Sequence, residues 1–358
     1  MKIYKLCNIT PKIIVLFLFV STFTVALFAK ASVVTDGAIN GLIICSEIII
    51  PSLFPFTVLA LFISKSGLAY YIGKFISPIS KILLKINGEA ATAVLMSFIA
   101  GYPVGARLIS ELLNSKKISQ SEAKRMLYYS VNAGPAFIVI AVGIGMFHSK
   151  TCGWVLLFSH IISSLLIGII LARFDKSTPT PKTTLKPNNM SVSDAFVNST
   201  ADASFAMFSI CSWIVLFSAI IAIIISLPIP EDLQKYVSYV LEVTTGTSYA
   251  VQTRSLPLVS FILGWAGFSV QFQVLSTCRD IKPRLSNFML SRFAHGILSA
   301  VITAVTIHFM PGAIEVISNT KDIRFSSYSV AVPASLALML LCITFLCFLK
   351  GERFYTQD

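Results

Sequence analysis

The residues best placed to do chemistry in this sequence are a few polar side chains set in long apolar runs. Glu47, in CSEIIIPSLFPF (45–56), and Glu242, in YVLEVTTG (239–246), are each the sole carboxylate of their run. A charged side chain at the centre of a bilayer costs about 2.5–3.5 kcal/mol, so each must face a partner, water or a solute. Pro51 and Gly246 follow them and would open backbone carbonyls beside them. One reading makes the pair contacts for a solute or a coupling cation, able to exchange a proton; the other makes each a snorkelling or lysine-paired group. GYPVGAR (101–107) joins hinges at Gly101 and Gly105, the unit Tyr102-Pro103 that breaks a helix, and a cation one turn on, Arg107. Amides at a broken helix start plus a guanidinium make an anion cradle, whereas small residues at a tight helix crossing with Arg107 as an interfacial anchor make the alternative.

Further candidates are Gly264 and Gly267 in LGWAG (263–267), Gln271 just beyond them, Asn132 at the start of NAGP (132–135), and the pair Arg292 and His295 on one helix face. Asn132 equally suits a helix cap, the Arg292/His295 pair an interhelical contact, and Gln271 or its neighbour Gln273 a hydrogen bond between helices. The sequence has no phosphate loop, no His-Glu-x-x-His and no Gly-x-Ser-x-Gly, and its four histidines lack metal spacing. An enzyme, a metal and a cofactor are therefore not expected. Seven cysteines with no Cys-x-x-Cys, mostly inside apolar runs, indicate neither a disulfide framework nor a zinc site.

These side chains need helices to hold them in a membrane. Of 358 residues 55% are hydrophobic and only 12% charged, against roughly 25% charged in soluble chains, which points to an all-α polytopic membrane protein. The net charge of +12 sits in clusters between apolar runs, a pattern that orients a membrane protein rather than one that binds nucleic acid. Runs of spanning length fall at 13–34, 130–147, 151–172, 204–227, 287–310 and 329–349, with 41–64 and 236–253 as weaker ones, about eight in all. The basic segments at 65–85, 116–125, 173–186 and 279–284 should be cytoplasmic, as should both termini. Residues 89–113 then leave and re-enter on one side, which predicts a re-entrant hairpin centred on Gly101-Tyr102-Pro103; 256–276 is expected to be a second, weaker one. Lys74, Lys81 and Lys85 among apolar residues predict an interfacial amphipathic helix. The first helix is read as retained rather than cleaved as a signal peptide. The expected division is an anchor (1–36), a first membrane half (37–174), a cytoplasmic linker (175–203), a second half (204–327), and a last span with its tail (328–358). The halves share an order of features, pairing Glu47 with Glu242 and 101–105 with 264–267; the span count makes them parallel, and one helix more or fewer would invert them.

Glu47 with PSLFPF (51–56), GYPVGAR (101–107), NAGPAFIVIAVGIGMF (132–147), LEVTTG (241–246) and LGWAGFSVQFQVLS (263–276) together resemble the YlbJ-type sporulation integral membrane proteins of endospore-forming bacteria, which carry nucleoside-recognition or Gate domains. The similarity covers about 37–310. It implies a transporter active in spore formation in the outer forespore, mother-cell-derived membrane, with a small anion, dipicolinate-like or nucleoside-like, as its partner. Assembly as a homo-oligomer is left open. The rival expectation is a membrane scaffold that recruits cortex or coat factors without transporting anything.

Overall fold

The structure, a computed structural model, describes residues 11–175 and 190–309, and every element among them is helical. The middle of the expected linker and the expected last span (329–349) lie outside the described residues. An apolar helix, α1 (Pro11–Ala29), leads into α2 (Ala31–Ile44), which runs through a π-helical turn (Cys45–Ile49) into α3 (Ile50–Lys65). Together Ala31–Lys65 form one span of 35 residues, so the break at Lys30 replaces the expected boundary near 34–41. Four more helices are long and apolar enough to cross a membrane: α8 (Lys150–Phe174), α9 (Val192–Ile225), Leu256–Thr277, and α14 (Leu285–Phe309). Helix α9 begins inside the expected linker because Ser191 accepts the Asp194 amide at its N-cap. Helix α4 (Leu68–Leu83) is amphipathic and meets α5 (Gly88–Ala100) at 95°, as an interfacial helix should.

The expected hairpin at 89–113 is present. Helices α5 and α6 (Val104–Asn114) fold back on one another around Gly101–Pro103, and a Cβ on Gly105 would overlap the Ser97 side chain. In a straight helix residues that far apart in sequence stand about 12 Å from each other. The second hairpin is not at 256–276. Helices α12 (Leu256–Trp265) and α13 (Gly267–Thr277) stay in line as one span, interrupted only by Ala266 and Gly267 at φ 69° and 65°. The reversal falls instead in the expected span 236–253, where α10 (Glu231–Leu241) and α11 (Val243–Gln252) fold back around Glu242. A Cβ on Gly246 would come within 2.9 Å of Ser238 O and Tyr239 Cα. Ser97, Gly101 and Gly105 thus correspond to Ser238, Glu242 and Gly246, and the feature pairing read from the sequence shifts accordingly.

One end of the molecule carries the basic clusters, tied by contacts that fix their side. Lys65 pairs with Asp202; Arg107 Nη2 with Asp202 at 2.9 Å; Arg125 Nε with Asp175 at 2.9 Å; and Gln120 Nε2 donates to the Asp280 carbonyl at 3.1 Å. The ends of α3, α6, α8 and α13 and the start of α9 therefore share one end, the one that its basic residues would assign to the cytoplasm. Because α8 returns to it across 25 residues, the stretch from α7 (Gln120–Leu127) through the π-helix Ala136–Met146 must cross outward to reach Lys150. Helix α2 packs antiparallel on α9, with Gly37 against Ala222, Gly41 against Val215 and Ser218, and Cys45 Sγ 3.9 Å from the Cys211 carbonyl. Small residues let these backbones approach closely where lipid supplies no hydrophobic drive. The units are thus inverted, each made of a span, a hairpin, a broken span and a second full span. Helices α8 and α14 pack across the same axis, and His160 and His295, each ten residues past its helix start, bring their rings to 4.4 Å.

Labelling from the two sides of the membrane checks the inversion. Single cysteines introduced as Lys116→Cys and Lys282→Cys will react from the cytoplasmic side, and His148→Cys and Arg254→Cys from the opposite side; shared labelling of all four would discard it. Gly105→Ala and Gly246→Ala will each lower thermal stability by about 1–3 kcal/mol through overpacking, whereas Gly145→Ala, whose Cβ meets only Ile140 O at 3.4 Å, will melt like the parent. Equal melting of all three in detergent would show that the fold-backs are loosely packed.

Candidate functional site

Both hairpins end at mid-depth, one entering from each side, and each tip abuts the break of the span that succeeds it. Gly101, at φ 77°, lies so close to Gly134 that a Cβ would stand 2.7 Å from its amide nitrogen. Gly267 faces the other tip the same way, its Cβ position 2.9 Å from Val243 N. Side chains at both positions would strain a left-handed backbone and push the broken elements apart. Between the four breaks, walled by α3 and α9, lies a small cavity of about 30 Å³, little more than a water needs.

Polar atoms without a protein partner collect on it. Tyr102, Ser269 and Gln273 are among its lining residues, and their Oη, Oγ and Nε2 are buried and hydrogen-bond to nothing in the chain, while Thr244, also there, interacts with Glu242. A buried polar group left so costs about 1–3 kcal/mol, and the three beside this cavity offer hydrogen bonds to a guest. Glu242 is fully buried on the same wall, where its two oxygens accept the amides of Thr244 at 3.0 Å and Thr245 at 2.7 Å, so it caps α11 at its positive end. Phe137, Trp213 and aliphatic residues such as Leu53, Ile214 and Val270 supply the rest of the lining, which is mainly apolar.

The other candidates sort around this cavity. Gly101, Tyr102 and Glu242 reach it. Gln271 does not line it; its Nε2 donates to the Trp265 carbonyl at 3.1 Å and so bridges the α12–α13 break, while Trp265 Nε1 donates to Val240 O at 3.1 Å and ties that break to the second tip. Gly264 serves a crossing, its Cβ position 2.7 Å from Gly296 Cα, and Gly105 serves the fold-back. Asn132, fully buried, donates to Ser97 Oγ at 3.3 Å and Tyr129 O at 3.1 Å, joining the first break to the first hairpin. Arg292 and His295 are fully buried but hold backbone rather than solute: the guanidinium donates to the carbonyls of Tyr128 and Val131 and lies 3.3 Å from His295 Nδ1. His295 Nε2 stands 3.0 Å from the His160 carbonyl, and His160 Nε2 accepts the Ala133 amide at 3.1 Å. This network satisfies the unwound stretch 128–133, which the lipid could not.

Two expectations fail here. Glu47 is exposed on the outer surface of the π-helical turn, because Cys45 and Ile49 occupy its inward face, so the two carboxylates do not meet. Arg107 does not cradle an anion at the hairpin tip. It lies 31% exposed at the cytoplasmic end between Glu111 and Asp202, and Pro103 beside it faces a separate cleft there. Thr244, Ser269, Trp213 and His160 join the site without any mark of their own in the sequence; the equal placing of His160 and His295 in two 25-residue helices is the signal available for the last.

Residues 47–150, which hold the first hairpin and the first broken span, match the Gate family, described as nucleoside recognition. The chain is also 24% identical over 343 residues to the sporulation integral membrane protein YlbJ of Bacillus subtilis (strain 168), covering 83% of each. No solved structure matches it. If the Arg292 network anchors the first break, Arg292→Leu will strand the Tyr128 and Val131 carbonyls and cost on the order of 2–4 kcal/mol; an unchanged melting temperature in detergent would remove Arg292 from that role.

Proposed function

We propose that this chain, a Gate-bearing homologue of the sporulation integral membrane protein YlbJ, is a transporter or facilitator of a small anionic metabolite that works in spore formation. The observation that carries the reading is the convergence of two oppositely entering hairpins and two broken spans on one small cavity beside three unpartnered polar atoms. Irregular backbone at membrane depth is tolerated where it is buried in protein or lines a watery cavity, and inverted repeats with broken helices place solute sites at the midplane. Tips that enter from opposite sides can open in turn, each exposing the same cavity to one side of the membrane.

The anionic character is supported by helix ends. Helices α6 and α13 and the π-helix at Ala136 all start at these breaks without a side-chain cap, and the start of the π-helix, at Gly134 and Phe137, lines the cavity itself. Their positive ends favour a negative group, whereas the start of α11 is already occupied by Glu242. A solute would thus set its anion against the Gly101/Gly134 side and its remaining polar atoms against Thr244, Ser269 and Gln273. Glu242 is the group of this site that can exchange a proton and couple transport to a pH gradient; Glu47, turned outward, has no such part. On this reading the partners are the bilayer and the solute, the setting is the outer forespore membrane, and no bond is made or broken.

Flux into proteoliposomes with a panel of aromatic dicarboxylates and nucleosides tests the proposal. The parent will carry at least one aromatic dicarboxylate. Tyr102→Phe and Ser269→Ala will each raise the half-saturating concentration about tenfold. Glu242→Gln will insert normally and lose flux or its pH dependence, and Glu47→Gln will match the parent. Flux of nucleosides alone would replace the anion by a nucleoside. No flux of any solute from correctly inserted protein would overturn the transporter and leave the scaffold.

A further inference from the structure

A second cleft, of about 140 Å³, opens at the cytoplasmic end. Pro103, Val104 and Arg107 of the first hairpin form one side of it, and Leu61, Phe205, Ala206, Ser209 and Thr277 form the rest. Ser209 and Thr277 each stand one helical turn, about 6 Å, from Trp213 and Gln273 of the central cavity. The cleft and the cavity are therefore stacked along α9 and α13, and the hairpin tip is the partition between them: Gly101 and Tyr102 face the cavity, Pro103 the cleft.

Arg107 brings a guanidinium to this cleft, and a carboxylate of the protein holds it. Asp202 of α9 accepts from Arg107 Nη2 at 2.9 Å and also pairs with Lys65 of α3, whose ammonium donates to the Asn198 carbonyl at 3.3 Å as well. Asp202 thus bolts the return arm of the hairpin to both walls of the cleft. Two features make this bolt exchangeable. Its members are 22–31% exposed, and ion pairs so open to water are weak. Moreover, if Arg107 leaves, Asp202 keeps Lys65 and no carboxylate is stranded. The outer hairpin is secured differently: the ion pairs of its entering arm, Lys235 with Glu231 and Asp232, stay within that arm.

We propose that the inner cleft is a second anion site, the cytoplasmic station of the solute path, at which a carboxylate of the solute displaces Asp202 from Arg107 and so unbolts the first hairpin. This rests on the transport reading for its place in a path, while the site itself can be tested without flux. A planar guanidinium suits the exchange because it binds one carboxylate or another through two parallel hydrogen bonds.

The test uses the full chain in inside-out vesicles, with Ala206→Cys as the reporter and a membrane-impermeant maleimide as the probe. The parent without that cysteine sets the background; its cysteines at 45, 152, 211 and 278 are buried. Asp202→Asn will raise the labelling rate about two- to fivefold, the loss of one exposed ion pair, and Asp202→Glu will restore the parent rate. Isophthalate, a simple aromatic dicarboxylate, will slow labelling in Asp202→Asn at lower concentration than in the parent, and will not slow it once Arg107→Gln is added. Labelling indifferent to Asp202, or protection that survives Arg107→Gln, would overturn the proposal. The expected labelling pattern without any flux would uphold the anion site and reject the transport reading; flux with flat labelling would reject the station alone.

Discussion

A helix interrupted inside a bilayer leaves amide and carbonyl groups that lipid cannot satisfy, and the rest of this structure is arranged around that demand. Four interruptions are stacked at mid-depth, so that each supplies part of the polar surroundings of the next. Gly101 lies against Gly134 and Gly267 against Val243, contacts open only to residues without a Cβ. What backbone cannot satisfy, buried side chains do: Arg292 takes the Tyr128 and Val131 carbonyls, His160 the Ala133 amide, Gln271 the Trp265 carbonyl, and Glu242 the first amides of α11. Most of the buried charge is thus spent on holding unwound backbone, and only a few polar atoms are left over for a solute. The full spans pack around the breaks and keep lipid away from them.

The inversion explains why one sequence can make the same device twice. A hairpin that enters from the cytoplasm and one that enters from outside need the same turn, a small residue four positions before and after a break, and Ser97/Gly105 and Ser238/Gly246 provide it in both halves. The centres of the breaks differ: Gly101 at the first, Glu242 at the second. A glycine turns the chain through a left-handed backbone, whereas the glutamate turns it in extended conformation and caps the helix after it. Equal geometry is reached by unlike chemistry, which is why the two tips escape a comparison of residue types.

That difference also sets what the sequence could reveal. Hydropathy and the basic clusters are enough for the membrane class, for the cytoplasmic end and for the first hairpin, whose ends both lie among lysines. The second hairpin enters from the side that carries few charges, so nothing in its flanks marks it as re-entrant, and 236–253 has the length and apolarity of a plain span. The segment 256–276 draws the eye through Gly264 and Gly267, yet one left-handed pair interrupts a helix without reversing it. Glu47 and Glu242 are alike as sole carboxylates of apolar runs; only the direction each faces separates them, and a π-helical turn, which shifts every later residue around the helix, hides that direction from a 3.6-residue count. Arg107 is legible as a functional cation, but not its partner, because Asp202 lies in a stretch that composition assigns to a linker.

The symmetry of the backbone makes the asymmetry of the cavity informative. The first half contributes Ile49, Leu53, Gly101, Tyr102, Ala133, Gly134 and Phe137, an apolar wall with two glycines and a single hydroxyl. The second contributes five apolar residues, among them Trp213, and also Glu242, Thr244, Ser269 and Gln273, which hold most of the site's hydrogen-bonding groups and its one carboxylate. Had the site evolved for a symmetric ion alone, such as a hydrated cation, the two walls would have no need to diverge, since identical groups related by the axis would coordinate it. Unlike walls suit a solute with unlike ends, one negatively charged, the other offering donors and acceptors, and the cavity, here of about 30 Å³, must widen to take it. On that view the inverted repeat supplies the opening motion, equal from both sides, while divergence between the halves supplies the recognition.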